Sequence, residues 1–311
     1  MSYINNINLH TIKKDYLGNK IQNGKFVEYV SQTKTIAEIL KWKLESNIKD
    51  DEYSLDIIKN NKFLAQQDDF IVWLGHATFL IQVNGKRIIT DPCLTSPIFT
   101  KRHTEIPLKI KDILPDYILI SHGHFDHLDS STIKYFNNAT ALVPLKMKKI
   151  IENMNSSIKI QEAGWYQQYS IDEEFNIYFL PALHWHRRTL FDTNEVLWGS
   201  FIIETPNKVI YFAGDTGYDT HFKEIGKLFD IDIAILPIGT YAPRWFMKDN
   251  HMNPKDAYKA FFDLRAKILI PKHFGTFDIS NEPMGEPEEI IRKIMKPEQL
   301  KVLTIGKEIL L

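Results

Sequence analysis

The residues best suited to chemistry lie at 122–127, where His122, His124, Asp126 and His127 place three imidazoles and a carboxylate on six consecutive positions. Neutral imidazole nitrogen and carboxylate oxygen are the ligands zinc takes after thiolate, and manganese or iron(II) accept the same set. Side chains two apart on an extended loop converge on one ion, whereas the adjacent Asp126 and His127 diverge, so the spacing points to two divalent metal positions. A surface histidine cluster is the bland alternative, and the apolar run just before the motif speaks against it. Three further ligand-type residues, His184, Asp215 and His273, each follow an apolar run elsewhere in the chain. A lone histidine after a strand is more often a satisfied surface residue. Here the sequence repeats one pattern, an apolar run, a sharp stop and a ligand-type residue, and the repetition singles these three out. Cys93 is the single cysteine, so there is no internal disulfide framework or multi-cysteine site and the ligands must come from histidine and carboxylate.

The elements that must position these residues can be read from the apolar pattern. Short β-rich runs at 71–73, 78–83 and 87–90 follow one another, with Asn84-Gly85 as the turn between the second and third. The continuous apolar run 117–120 is a buried strand that stops at Ser121-His122, which puts the histidine motif on a loop at a strand end. Further strands are expected at 141–143, 177–180, 197–203, 208–212 and 233–236, and helices at 220–229, 254–264 and 287–294. Interleaved strands and helices indicate a layered α/β architecture. Residues 33–44 place Ile36, Ile39, Leu40 and Trp42 at helical spacing, so 1–65 is expected as an N-terminal helical extension and 66–311 as the main domain.

Composition narrows the function. The chain of 311 residues is 44% hydrophobic and 25% charged, the balance of a globular protein with a large core. With 38 basic and 39 acidic residues it has no overall field to gather nucleic acid, and nucleic acid is not an expected partner. The N-terminus lacks the basic start, apolar run and cleavage site of a signal peptide, and no apolar stretch reaches membrane-spanning length, so a cytoplasmic location is expected.

The histidine motif with its downstream His, Asp and His resembles the signature of the metallo-β-lactamase superfamily, over almost everything from residue 70 onward. Longer stretches narrow the resemblance. Trp73-Leu74-Gly75-His76-Ala77-Thr78, Pro181-Ala182-Leu183-His184-Trp185 with Arg187-Arg188-Thr189-Leu190, Gly214-Asp215-Thr216-Gly217-Tyr218, Pro243-Arg244-Trp245-Phe246-Met247 and His273-Phe274-Gly275-Thr276-Phe277 resemble the N-acylphosphatidylethanolamine-hydrolysing phospholipase D family. So does Asn23-Gly24-Lys25-Phe26 near the N-terminus. The resemblance implies a four-layer αββα sandwich and a binuclear site in which His122, His124 and His184 hold one ion, Asp126, His127 and His273 the other, and Asp215 bridges. Zinc is the implied metal. The implied reaction is hydrolysis of N-acylphosphatidylethanolamine or a similar phosphodiester by a metal-bridging hydroxide, with ions about 3.5 to 4 Å apart stabilising the charge on phosphorus oxygens.

Other residues take supporting roles in this reading. Asp126 and Asp215 count as catalytic with His251, which is placed to contact phosphate or protonate the leaving group, with a helix-entry hydrogen bond as an equal alternative. Asp91, after the run 87–90, is expected to accept a proton from the outer nitrogen of a ligand histidine. His76 is expected chiefly as a core histidine, with a place behind the metal ligands like that of Asp91 as the alternative, and His186 to point away from the metals. Tyr241, Arg244, Trp245 and Phe246 are expected to line a substrate pocket, a cation for phosphate and rings for acyl chains, with a packed loop as the equal alternative. The expected partner is a phospholipid or another phosphodiester, with peripheral contact to the inner face of the membrane and a homodimer as further expectations. The alternative activity is a lactonase acting on a small, phosphorylated or plain lactone.

Overall fold

Period-two alternation along the strands divides the core into two layers. In β5 (Phe70–Trp73) of the computed structural model, Ile71 and Trp73 face one hydrophobic cluster while Phe70 and Val72 face another. In β6 (Phe79–Val83) the alternation repeats, with Phe79, Ile81 and Val83 on the first side and Leu80 on the second. The structure describes residues 1–31, 34–45, 53–97, 100–171 and 173–311.

The chain opens with β1 (Ser2–Ile4), β2 (His10–Thr11), β3 (Asn19–Gln22) and β4 (Lys25–Phe26), then α1 (Ile36–Glu45). After β5 and β6 come β7 (Lys86–Thr90), β8 (Tyr117–Leu119), α2 (Ser130–Ile133), β9 (Thr140–Pro144), α3 (Lys148–Met154) and β10 (Lys159–Ala163). The second half runs β11 (Gln167–Gln168), β12 (Asn176–Leu180), β13 (Ser200–Glu204), β14 (Val209–Phe212), α4 (His221–Leu228), β15 (Ile233–Pro237), α5 (Arg244–Met247), α6 (Pro254–Asp263), β16 (Ile268–Lys272), α7 (Glu286–Ile294) and β17 (Glu308–Leu310).

Two seven-stranded sheets face each other, ordered β10-β9-β8-β7-β6-β5-β17 and β16-β15-β14-β13-β12-β11-β2. Trp73, Phe79, Leu119, Phe179, Phe201 and Phe212 fill the space between them, all without solvent exposure. The outer face of the first sheet is covered around α2 and α3 by Ile133 and Ile151, and on the second α6 packs against β15, α4 and α7. The result is the expected four-layer αββα sandwich. Parallel pairing of β7, β8 and β9 in one sheet and of β14, β15 and β16 in the other brings the C-terminal ends of these strands to the same side within each sheet.

The N-terminal segment differs from the helical extension expected for 1–65. β1, β3 and β4 form a small antiparallel sheet, β2 pairs with β11 at the edge of the second large sheet, and Val30 bridges to His184. These strands are two to four residues long, too short for a period to announce them, and β2 has its partner more than a hundred residues away. The expected helix appears as α1, starting at Ile36, while Thr33 lies outside the described residues. α6 shows its own start signal. Asn253 caps it in a reciprocal box with Asp256, Pro254 occupies the first turn, and Ala257, Ala260 and Phe261 form the buried face. That cap fixes the chain just after His251.

Candidate metal centre and cleft

Strand ends supply nearly every side chain of the site. Asp91 follows β7, His122 follows β8 by way of Ile120 and Ser121, Asp215 follows β14, and His273 directly follows β16. The backbone is left-handed at His76 (φ 54), Asp91 (φ 35), Thr240 (φ 65) and His273 (φ 63), a conformation that non-glycine residues adopt only when the surroundings demand it. Glycines allow close approach at two points. A side chain at Gly123 would lie 2.1 Å from the His186 ring, and one at Gly214 would lie 2.5 Å from the Gly199 carbonyl.

Two groups of potential ligands form. In the first, the His122 Nε2 and His184 Nε2 atoms lie 3.0 and 3.2 Å from His124 Nδ1. In the second, Asp215 Oδ2 is 3.1 Å from His127 Nε2 and 3.0 Å from His273 Nε2, and Asp126 Oδ2 is 3.6 and 3.7 Å from the same nitrogens. Ligand atoms about 2.0–2.1 Å from a tetrahedral ion stand about 3.3 Å from one another, so both groups have the spacing of a coordination shell. The buried Nε2 atoms of His127 and His273 have no aligned hydrogen-bond partner despite their closeness to Asp215. Lone pairs aimed at a shared point between the ligands give that combination of short distance and poor alignment, and the residues present fit a metal.

The outer nitrogens are tied down. His184 Nδ1 lies 3.2 Å from the Asn250 carbonyl, which can only accept, so Nδ1 carries the proton and Nε2 presents its lone pair. His127 Nδ1 donates to Asp91 Oδ2 at 2.8 Å, and His273 Nδ1 pairs with Thr240 Oγ1 at 3.1 Å. His122 Nδ1 meets Ser121 Oγ at 2.9 Å, and that hydroxyl donates to Asp91 Oδ2 at 2.6 Å while the Ser121 amide donates to Asp91 Oδ1. One buried carboxylate thereby orients a histidine of each group.

Charge follows geometry. Burial, and next to it His127, hold His122 well below the usual imidazole range; burial and His124 do the same to His184, and burial sets His124 at about 3. The first group is therefore three neutral imidazoles. Burial also opposes charge on His127, but Asp215, Asp126 and Asp91 outweigh it and raise this ring to about 10. Burial works against ionised Asp126 and Asp215, yet His127 and its neighbours hold both well below the carboxylate range. The second group is a place where positive charge is favoured.

Two expectations need correcting. Asp126 and His127 do not diverge: the tight turn after His124, closed by His127 N and Leu128 N on the His124 carbonyl, folds both into the second group. His76 is buried as expected of a core residue, but its Nε2 sits 3.0 Å from Asp126 Oδ2, so it belongs to the site. His186 lies against Gly123, outside both groups. His251 has its Nδ1 3.6 Å from Asp215 Oδ2, and burial lowers it to about 4, leaving a neutral ring.

His124, Asp126, Asp215 and His251 open onto a cleft of about 940 Å³. Its apolar wall includes Trp42, Phe125, Trp185 and Phe246, and its cations are Lys25, Lys34, Arg187 and Arg188. The expected pocket residues Tyr241, Arg244 and Trp245 are not among its lining. Tyr241 is buried with its hydroxyl on Glu286, Arg244 is drawn to Asp256 at 2.7 Å and the His251 carbonyl, and Trp245 lies beneath Lys41. Phe246, expected with them, does line the cleft, where the short helix α5 turns it together with Met247. Sequence reasoning missed Lys25, Lys34 and Trp42 as cleft residues because they arrive from the N-terminal segment. It also missed Arg188, which donates to the Gly123 and Leu128 carbonyls at 2.7 and 3.0 Å and braces the ligand loop. The motif stretches holding Lys25 and Arg188 were the available signal.

Known proteins place this geometry. A family described as a beta-lactamase superfamily domain matches residues 86–274. The N-acyl-phosphatidylethanolamine-hydrolyzing phospholipase D 1 of Caenorhabditis elegans is 34% identical over 285 residues, covering 83% of this chain and 80% of that protein. The mitochondrial N-acyl-phosphatidylethanolamine-hydrolyzing phospholipase D of Saccharomyces cerevisiae is 36% identical over 233 residues, covering 70% of this chain and 50% of its own length. The solved structure of Igni18, a metallo hydrolase from Ignicoccus hospitalis, is similar in fold with a TM-score of 0.61 at 23% identity, over 78% of this chain and 97% of that one.

Proposed function

The chain is a metal-dependent hydrolase belonging to the beta-lactamase superfamily, and from that premise we propose that it is a binuclear, zinc-dependent phosphodiesterase of phospholipase D type, acting on N-acylphosphatidylethanolamine or a closely similar lipid phosphodiester. The observation that carries the reading is the cleft: two ligand groups on its floor, aromatic walls and four cations around them. An anionic headgroup with apolar chains is the ligand such a lining fits.

His122, His124 and His184 would hold one ion, Asp126, His127 and His273 the other, with Asp215 between them. Bound there, two divalent ions supply an activated water at neutral pH and offset charge on the phosphoryl oxygens. The chain's own residues orient the reaction. Asp91 keeps His122 and His127 presenting Nε2, Arg188 holds the ligand loop, and the lysines and Arg187 draw the phosphodiester in. Water oxygen bonds to phosphorus and the bond from phosphorus to the ethanolamine oxygen breaks, which leaves phosphatidic acid and N-acylethanolamine. The neutral His251 can hold the phosphoryl or leaving oxygen through its ring N–H, a role that replaces the charged proton donor.

Apolar residues cluster by the mouth of the cleft. Leu40 and Leu44 are exposed on α1, whose Ile39 and Trp42 line the cleft, and Leu190 and Phe191 are exposed on the loop carrying Arg188. These suit peripheral contact with the membrane that holds the substrate, and no helix among the described residues is long and apolar enough to cross one. The test is to assay metal-quantified protein against N-acylphosphatidylethanolamines, simple phosphodiesters and lactones. Release of phosphatidic acid is expected; turnover confined to lactones would sink the reading.

A further inference from the structure

Lys272 takes no part in the chemistry above, yet among the described residues it is the lysine that is wholly buried. An ammonium without water loses its hydration and survives only beside a compensating charge. Its Nζ lies 3.5 Å from Asp215 Oδ1 and 5.0 Å from the centre of the Phe212 ring. The other oxygen of the same carboxylate, Oδ2, is the atom that sits 3.1 and 3.0 Å from the Nε2 atoms of His127 and His273. The two oxygens are thus divided, one to the ligand nitrogens and one to the lysine. An aspartate carboxylate turns about a broad, two-fold torsion, so nothing intrinsic to Asp215 enforces that division.

We propose that Lys272 is the positioning residue of Asp215: it holds Oδ1 back so that Oδ2 alone faces the metal ligands. Lys272 ends β16 and directly precedes His273, so one strand end delivers both a ligand and the group that aims another ligand. The inference rests on Asp215 being a metal ligand.

The test uses full-length protein stripped of metal and titrated with Co²⁺, followed by its visible absorption. Lys272→Met is expected to weaken binding of at least one ion by about 10- to 100-fold and to change the absorption band. Its metal-free form is expected to keep the wild-type circular dichroism spectrum but to melt at a lower temperature, because the buried Asp215 carboxylate loses a compensating charge. Lys272→Gln, which keeps an N–H donor, is expected to restore the band shape in part. A merely structural ion pair would lower the metal-free stability while leaving the Co²⁺ affinity and absorption band of Lys272→Met unchanged, and that result overturns the proposal. Unchanged or tighter Co²⁺ binding by Lys272→Met also overturns it. Wild-type protein that takes up no Co²⁺ overturns both this role and the metal chemistry beneath it.

Discussion

On the floor of the cleft His122, His127, His184 and His273 are buried and each has its outer nitrogen tied to a partner, whereas on the walls Lys25, Arg187 and Leu190 stand exposed on short strands and loops. The floor is made by strand ends that the core of the sandwich cannot move without disturbing its packing. The walls are brought together from Lys25, 34–42, 185–193 and 246–251, segments far apart in the chain. A side chain lost from the floor leaves polar groups unmatched and should reach the chemistry. One lost from a wall should alter which substrate enters, and how well, while the reaction stays intact.

Four measurements would break or sharpen this contrast. The largest effect is expected for Asp215→Asn, which removes a charge from the floor: kcat/KM should fall by several kcal/mol of transition-state stabilisation, roughly 10³-fold, with bound metal reduced and the circular dichroism spectrum kept. Hydrolysis at the wild-type rate would show that the floor is not the reacting site. Asp91→Asn should come next. Because Asp91 serves His127 directly and His122 through Ser121, metal affinity measured by competition with a chelator should drop about 10- to 100-fold. A loss confined to one ion would mean that the link through Ser121 carries little.

Phe246→Ala tests a wall. Phe246 stacks on Trp42 with ring centres 5.0 Å apart, and truncating it should raise KM for a long-chain substrate by about 10-fold, the effect of losing 1–2 kcal/mol of apolar contact, with kcat close to wild type. A collapse of kcat instead would erase the distinction between wall and floor. The smallest effect is expected from Asn253→Ala at the start of α6, where loss of the cap should cost about 1 kcal/mol of stability in a denaturant titration and shift His251 only slightly.

The same contrast separates what could be read in the sequence from what could not. His122, His124, Asp126 and His127 are neighbours in the chain, and His184, Asp215 and His273 each follow an apolar run that ends abruptly, so the floor announces itself through local spacing. Asp91 was legible for the same reason. Tyr241, Arg244 and Trp245 were not placed correctly, because which face of the short helix α5 meets the cleft depends on Asp256 and Glu286, which hold Arg244 and Tyr241 elsewhere. The N-terminal strands were invisible because they are only two to four residues long, too short to show a period, and β2 finds its partner β11 more than a hundred residues away.

The residue types of the sequence by themselves determined the donor chemistry, since one cysteine and a dense set of histidines and aspartates leave few other metal ligands, and they determined the alternation that builds two facing sheets. Only the tertiary structure decided how those donors divide. Adjacent Asp126 and His127 share one group because a turn closes on the His124 carbonyl, His76 arrives at Asp126 from fifty residues away, and Lys272 meets Asp215 across two strands. Side-chain direction at a strand end is set by the turn that follows and by whatever packs behind it, and neither is written in the spacing of the residues that carry the chemistry.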